Sequence, residues 1–354
     1  MIDIHALARL EKSANILTWS RLNYQTIIRI NQWLSFLKNE QVQSNTEIAQ
    51  TLISVLESNR ANLYAQNFDT TLKSFQKENG LLSDGIFGVK TCAKMQSLVL
   101  QTAIARIKAE FADLVDIKKL DNATKLVRVP AYKDEKVGGC DFFSFRADAA
   151  YFYLCAYKQA LQKGAYIQSA GSLRPLNAKL SAGRIATSVH YGAAALDIAV
   201  YSGMADASRD MYVIEVGRNG YWQVWAKVDE KAGASILDIT PIHQIVTPIT
   251  YKHRTGAPAS YNGKLVNLTE IFKANHFLPI RPQAAFYKNG SDMTAEWWHF
   301  QCEFCFMPFF TTFGDSIAAI HEEKAIAKAP QLILQNATKL YCKDWTVGFF
   351  VEIE

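Results

Sequence analysis

Two stretches decide how this chain is read: Ser188-Val189-His190-Tyr191-Gly192-Ala193-Ala194-Ala195-Leu196-Asp197 and, much later, Glu296-Trp297-Trp298-His299-Phe300. Together they offer two imidazoles and two carboxylates. A catalytic zinc ion takes three protein ligands and keeps one position open. His190, Asp197 and His299 would supply the three. Glu296 stands three residues before His299 and could act as general base on water, whose pKa such an ion lowers to roughly 7. Each piece alone has a plainer reading. A single His among small residues is usually structural, Asp197 could end a strand, and Glu-Trp-Trp-His could be aromatic packing.

The surrounding sequence alternates helix and strand. Residues 146–162 are rich in Ala and aromatics and read as a helix, which Gly164 stops. Residues 165–170 are a short strand candidate leading to Gly171-Ser172-Leu173-Arg174. Residues 211–217 and 221–228 are β-rich and flank Asn219-Gly220, a strong hairpin signal. A short helix is expected over 268–277 and a strand over 297–310. The second half is therefore expected to be α+β with an antiparallel sheet. Nothing places residues 306–354.

The first half reads as helical. Ile27, Ile30, Leu34 and Leu37 form one stripe of a helix over 14–38. Thr46 is a candidate cap for the helix after it. Residues 46–98 form a helical unit with a marked turn, Asn79-Gly80-Leu81-Leu82-Ser83-Asp84-Gly85-Ile86-Phe87-Gly88. Ile104, Ile107, Phe111 and Leu114 stripe a linking helix over 99–119. The expected organisation is thus an N-terminal helical segment (1–45), a helical module (46–100), a linking helix and connector (101–135) and an α+β domain (136–354).

Composition excludes several classes. The chain has 354 residues, 49% of them hydrophobic, which fits folded domains and not disorder. Its 38 Lys+Arg against 33 Asp+Glu leave +5, too little for a nucleic-acid arm. No apolar run reaches the ~18–20 residues of a membrane helix. Asp3, Arg9, Glu11 and Lys12 interrupt any leader-like stretch, so no cleaved signal peptide is expected. Of the six cysteines, Cys302 and Cys305 form one CxxC without a second ligand pair, which points to buried thiols in a strand.

The two decisive stretches resemble those of the zinc D-Ala-D-Ala carboxypeptidases and dipeptidases and their relatives, the phage L-alanyl-D-glutamate endopeptidases. That pattern is Ser-x-His, an Asp seven residues after the His, and Glu-x-x-His much later. Here it falls on Ser188, His190, Asp197, Glu296 and His299. The resemblance implies Zn2+ on His190, Asp197 and His299, and Glu296 as catalytic base. It also implies Arg174 as the guanidinium that meets a substrate carboxylate or the scissile carbonyl, with Ser188 bonding substrate. Two departures stand out: Ala193 occupies the position where the family has Gly, with Gly192 one earlier, and Leu173 replaces a Tyr.

Upstream, Thr71-Leu72-Lys73-Ser74-Phe75-Gln76, Gly80-Leu81, Asp84-Gly85-Ile86-Phe87-Gly88 and Thr91 are similar to a peptidoglycan-binding three-helix module. The joint implication is a zinc peptidase that cuts stem peptides or cross-links of bacterial cell wall, of phage endolysin or secreted antibacterial effector type. Its expected partner is peptidoglycan, with no nucleic acid and no membrane insertion. Made in the cytoplasm without a leader, it would reach the periplasm or wall through secretion machinery or a holin. The alternative is a non-catalytic wall-binding protein that keeps the zinc site as scaffold.

Overall fold

A computed structural model describes residues 24–44, 47–48, 50–51, 54, 61–121, 123–133, 140–179, 186–198, 211–216, 221–228, 241–247, 259–283 and 295–340. The chain divides into two compact units. One comprises residues 1–102, 306–312 and 339–354, the other residues 103–305 and 313–338.

The first unit is helical in its described part. Helix α1 (Tyr24–Leu37) buries Ile28, Ile30, Trp33 and Phe36 completely. It also buries Gln25, Arg29 and Gln32, so it is covered on nearly every side. Residues 14–23 of the expected helix lie outside the described residues. Asn39 ends α1 in the left-handed region (φ 59°), and Glu40 N donates to Ser35 O at 2.9 Å. Ser44 caps the next helical turn, and Thr46, the expected cap, lies outside the described residues. Ser44 Oγ accepts from Glu47 N at 3.2 Å, and Glu47 Oε2 accepts from Ser44 N at 2.7 Å. This reciprocal pairing satisfies two backbone donors at once.

Helices α2 (Ala61–Glu78) and α3 (Val89–Glu110) flank the glycine-marked turn. Gln76 holds that turn together. Its Nε2 donates to Asp84 Oδ1 and Ile86 O at 3.0 Å each, and its Oε1 accepts from Gly85 N at 2.9 Å. Gly85 sits at φ 75°, and a Cβ there would meet Asp69 Oδ1 at 2.1 Å. Only glycine fits. The linking helix expected over 99–119 is not a separate element. Val89–Glu110 carries neither Gly nor Pro, so one helix runs through, and a 3-10 turn at Ile117–Lys119 follows it.

The second unit mixes helix with antiparallel sheet. Strands β1 (Val127–Pro130) and β2 (Phe142–Phe145) pair with each other. Helix α4 (Ala147–Gln162) follows and is buried over Ala147–Leu154. Tyr153 of this helix meets both strands: its hydroxyl donates to Pro130 O at 2.8 Å, and its ring packs against Phe143 and Phe145. Residues 165–170 make bridges and no regular strand: Tyr132 pairs Gln168, and Cys140 pairs Ser169.

Strand β3 (Ala195–Asp197) belongs to a three-stranded antiparallel sheet in which His299–Cys302 lies between it and Phe277–Pro279. The hairpin β4 (Tyr212–Val216) and β5 (Trp222–Lys227) forms as expected, while Arg218-Asn219-Gly220 lies outside the described residues. It belongs to a four-stranded sheet with β6 (Pro241–Thr247) and β7 (Ala259–Asn267), in the order β4–β5–β7–β6. Helix α5 (Leu268–Ala274) is capped by Asn267, whose Oδ1 accepts from Glu270 N at 3.1 Å. Strands β8 (Phe277–Pro279) and β9 (His299–Cys302) complete the three-stranded sheet. The strand expected over 297–310 is only this short β9, and a 3-10 turn at Glu303–Cys305 ends it. Helices α6 (Phe313–Ala318), α7 (Glu323–Ile326) and α8 (Gln331–Leu334) form the last described part of this unit. No helix of the described residues is long and apolar enough to cross a membrane.

Candidate metal centre

The register of one strand pair builds the site. In the antiparallel β3–β9 ladder, Asp197 stands opposite His299. Directly opposed residues point to the same sheet face, so the carboxylate and one imidazole meet. His299 Nδ1 lies 3.0 Å from Asp197 Oδ1. The other imidazole arrives from the 3-10 turn at Val189–Gly192, which leads into β3. His190 Nε2 is 3.2 Å from His299 Nδ1 and 3.2 Å from Asp197 Oδ2. Among the described residues this is the one cluster of three or more such groups able to hold a metal ion.

The donor set fits a cation. His190 Nδ1 lies 2.7 Å from the carbonyl oxygen of Ser172, which can only accept, so Nδ1 carries the proton. In the neutral ring Nε2 then presents a lone pair toward His299 Nδ1. A carbonyl on the outer nitrogen is the usual way a metal-binding imidazole is oriented. Ligand atoms roughly 2.0–2.1 Å from a tetrahedral ion stand about 3.3 Å apart, close to the separations seen. Both His rings are buried, and the Asp197 side chain is 23% exposed. Burial pushes Asp197 up, but His190 and His299 outweigh it and hold the carboxyl well below the usual carboxylate range. Burial likewise works against a charged His190, and Asp197 more than offsets it. Asp197 is thus held as a carboxylate between two buried imidazoles.

Glu296 begins the turn into β9 at φ 59°, and its carbonyl accepts from His299 N at 3.1 Å. Burial raises its pKa above the ordinary carboxylate value, against the opposing pull of His299 and of Gln283, whose amide bonds the carboxylate. A raised carboxyl is suited to taking and returning a proton near neutrality. Strand β5 supports this turn: Trp222 Nε1 donates to Ala295 O at 2.6 Å.

Arg174 N donates to His190 O at 3.1 Å, and its guanidinium lies 5.5 Å from the centre of the Tyr191 ring. Its charge opposes protonation of His190. Ser188, expected to meet substrate, caps the 3-10 turn: its Oγ accepts from His190 N at 3.4 Å. Cys302 and Cys305 are buried free thiols, Cys302 closing β9 and Cys305 in the turn after it.

The glycine departure has a conformational meaning. Ala193 sits at φ 50°, ψ 37°, the left-handed region in which glycine carries no penalty. An alanine there costs roughly 1–2 kcal/mol. Gly192 answers a different need, because a Cβ on it would meet Ser316 Oγ at 1.9 Å.

Sequence reasoning passed over Ser172 and Gln283. Ser172 Oγ donates to Ser144 O and accepts from Ser144 N, at 2.8 and 2.7 Å. It thereby ties β2 to the carbonyl that orients His190. Comparison of the chain with family models, curated proteins and solved structures returns no match.

Proposed function

We propose that this protein is a zinc-dependent amide hydrolase acting on the peptides of bacterial cell wall. The observation that carries the proposal is the meeting of His190, Asp197 and His299, with the half-buried Glu296 carboxylate anchored three residues from one of them. When bound, a zinc ion would acidify water and polarise a carbonyl. The chain's own groups do the rest. Glu296 takes a proton from the attacking water and returns it to the departing amine. Gln283 holds that carboxylate by its amide. Arg174 sets its positive charge beside the site for a substrate carboxylate or the developing oxyanion. The largely dry surroundings strengthen each of these interactions.

The wall as substrate rests on the resemblance of the Gln76–Thr91 turn to a peptidoglycan-binding module. It is supported by the way Gln76 knits that turn around Asp84 and Gly85. A module that holds the polymer raises the effective concentration of stem peptide at the site.

Glu296→Gln separates binding from chemistry. The variant is expected to take up one zinc ion per chain and to lose muropeptide cleavage by about 10²–10⁴-fold, read by mass spectrometry of digested sacculi. Cleavage at the wild-type rate would remove Glu296 from the mechanism. A wild-type chain that binds zinc and releases no new amine from sacculi would refute the proposed activity.

A further inference from the structure

The turn that delivers His190 is short, and the carbonyls of Ser188, Val189 and His190 all accept backbone N–H groups. Ser188 O accepts from Tyr191 N at 3.1 Å, and Val189 O from Ala194 N at 3.5 Å. His190 O accepts from Ala193 N and Arg174 N at 3.2 and 3.1 Å. Tyr191 O is answered from far along the chain. His321 Nε2 lies 3.0 Å from it, and a carbonyl can only accept, so His321 donates.

The same segment meets the turn twice more. Phe313 packs edge-to-face on Tyr191, with ring centroids 6.1 Å apart. Ser316 fills the space that a side chain on Gly192 would need. Helical hydrogen bonding continues past α6, with His321 N donating to Ile317 O at 2.9 Å. Phe313, Ser316 and His321 therefore belong to one rigid piece.

We propose that His321 is a positioning residue for the metal site: with Phe313 and Ser316 it clamps the Val189–Gly192 turn and so fixes where His190 presents Nε2. The proposal rests on the metal reading of the cluster. His190 is aimed by two fixed points, Ser172 O on its ring and the turn that carries its backbone. Ser172 controls the rotation of the ring. His321 controls the position of the backbone from which the ring projects. A turn free to shift by a few tenths of an ångström would spoil the separations of 3.2 Å to both other ligands. Outer groups that orient metal-binding His typically account for 10–100-fold in affinity.

The test is competition for Zn2+ between the full-length protein and a chromogenic chelator. His321→Leu keeps the bulk and removes the donor, and is expected to weaken zinc binding at least tenfold while circular dichroism stays that of the wild type. His321→Gln places an N–H close to where Nε2 stood and is expected to recover affinity to within about threefold. His321→Asn stops short and is expected to behave as Leu does, which keeps the test available if the Leu variant does not fold. Wild-type zinc affinity in both Leu and Asn, or no difference between Gln and Asn, overturns the clamp and leaves the metal site standing. A wild-type chain that takes up no zinc overturns the metal reading, and the clamp with it.

Discussion

Arg146 and Asp148 make a sharp test of how the second unit is held. Both side chains are fully buried, with Arg146 Nε 2.7 Å from Asp148 Oδ1 and NH2 3.0 Å from Oδ2. Asp148 also accepts from Ala149 N at 3.0 Å in the first turn of α4, where a negative charge suits the helix dipole. Arg146 N donates to Ala193 O at 3.1 Å, so the pair stands one bond from the end of the turn that carries His190. Asp148→Ala leaves a guanidinium in the core without its carboxylate. Breaking a buried pair on one side destabilises by about 3–5 kcal/mol. For a unit of this size that is a fall in melting temperature of roughly 6–20 °C, measured by calorimetry on the chelator-treated protein. Replacing both partners, as Arg146→Met with Asp148→Leu, is expected to return most of the loss. A paired apolar substitution of similar volume is often neutral or better. If Asp148→Ala shifts the melting temperature by less than about 3 °C, or if the double variant is worse than the single, the charge is not buried as described and the argument fails.

Two further expectations concern proton and thiol chemistry. Burial, with a smaller contribution from Lys125, lowers the pKa of His321 against the opposing bond to Tyr191 O. The unfolded chain therefore takes up the proton first as pH falls below about 6.5, and the contribution of His321 to stability shrinks there. Melting temperatures of wild type and His321→Gln should converge between pH 7 and pH 5; a constant gap counts against it. Among the described cysteines, Cys140 alone is exposed, while burial pushes the Cys155 thiol up to about 11. Iodoacetamide at pH 7.5 should label Cys140 and leave Cys92, Cys155, Cys302 and Cys305 intact by peptide mass spectrometry; early labelling of Cys155 would contradict this.

The residues brought together at the site were legible because their chemistry is local in sequence. Ser-x-His and Glu-x-x-His each fit within a few residues, and the spacing from His190 to Asp197 spans one turn and one strand. Residues that act through backbone carbonyls leave no such trace. Ser172 reaches His190 across 18 positions and His321 reaches Tyr191 across 130, and neither pairing has a spacing rule. Ala193 shows the opposite case, in which a departure from pattern was visible but its conformational reason, a left-handed backbone, was not. Strand β7 was not expected: Asn262-Gly263 lies within it, and the extra residue at the register shift between Ile242 and Ile245 falls on the partner strand β6, a pairing irregularity with no spacing rule in the sequence.

The pairing of β3 with β9 also orders events in time. His190 and Asp197 lie on the earlier strand side and His299 on the later. At roughly 5–20 residues per second of synthesis, the interval between the first and last ligand is on the order of ten seconds. Until β9 docks, the growing chain carries His190 and Asp197 without the imidazole that stands opposite Asp197 in the ladder. A chain released anywhere in that interval lacks His299, and with it one of the three groups of the cluster.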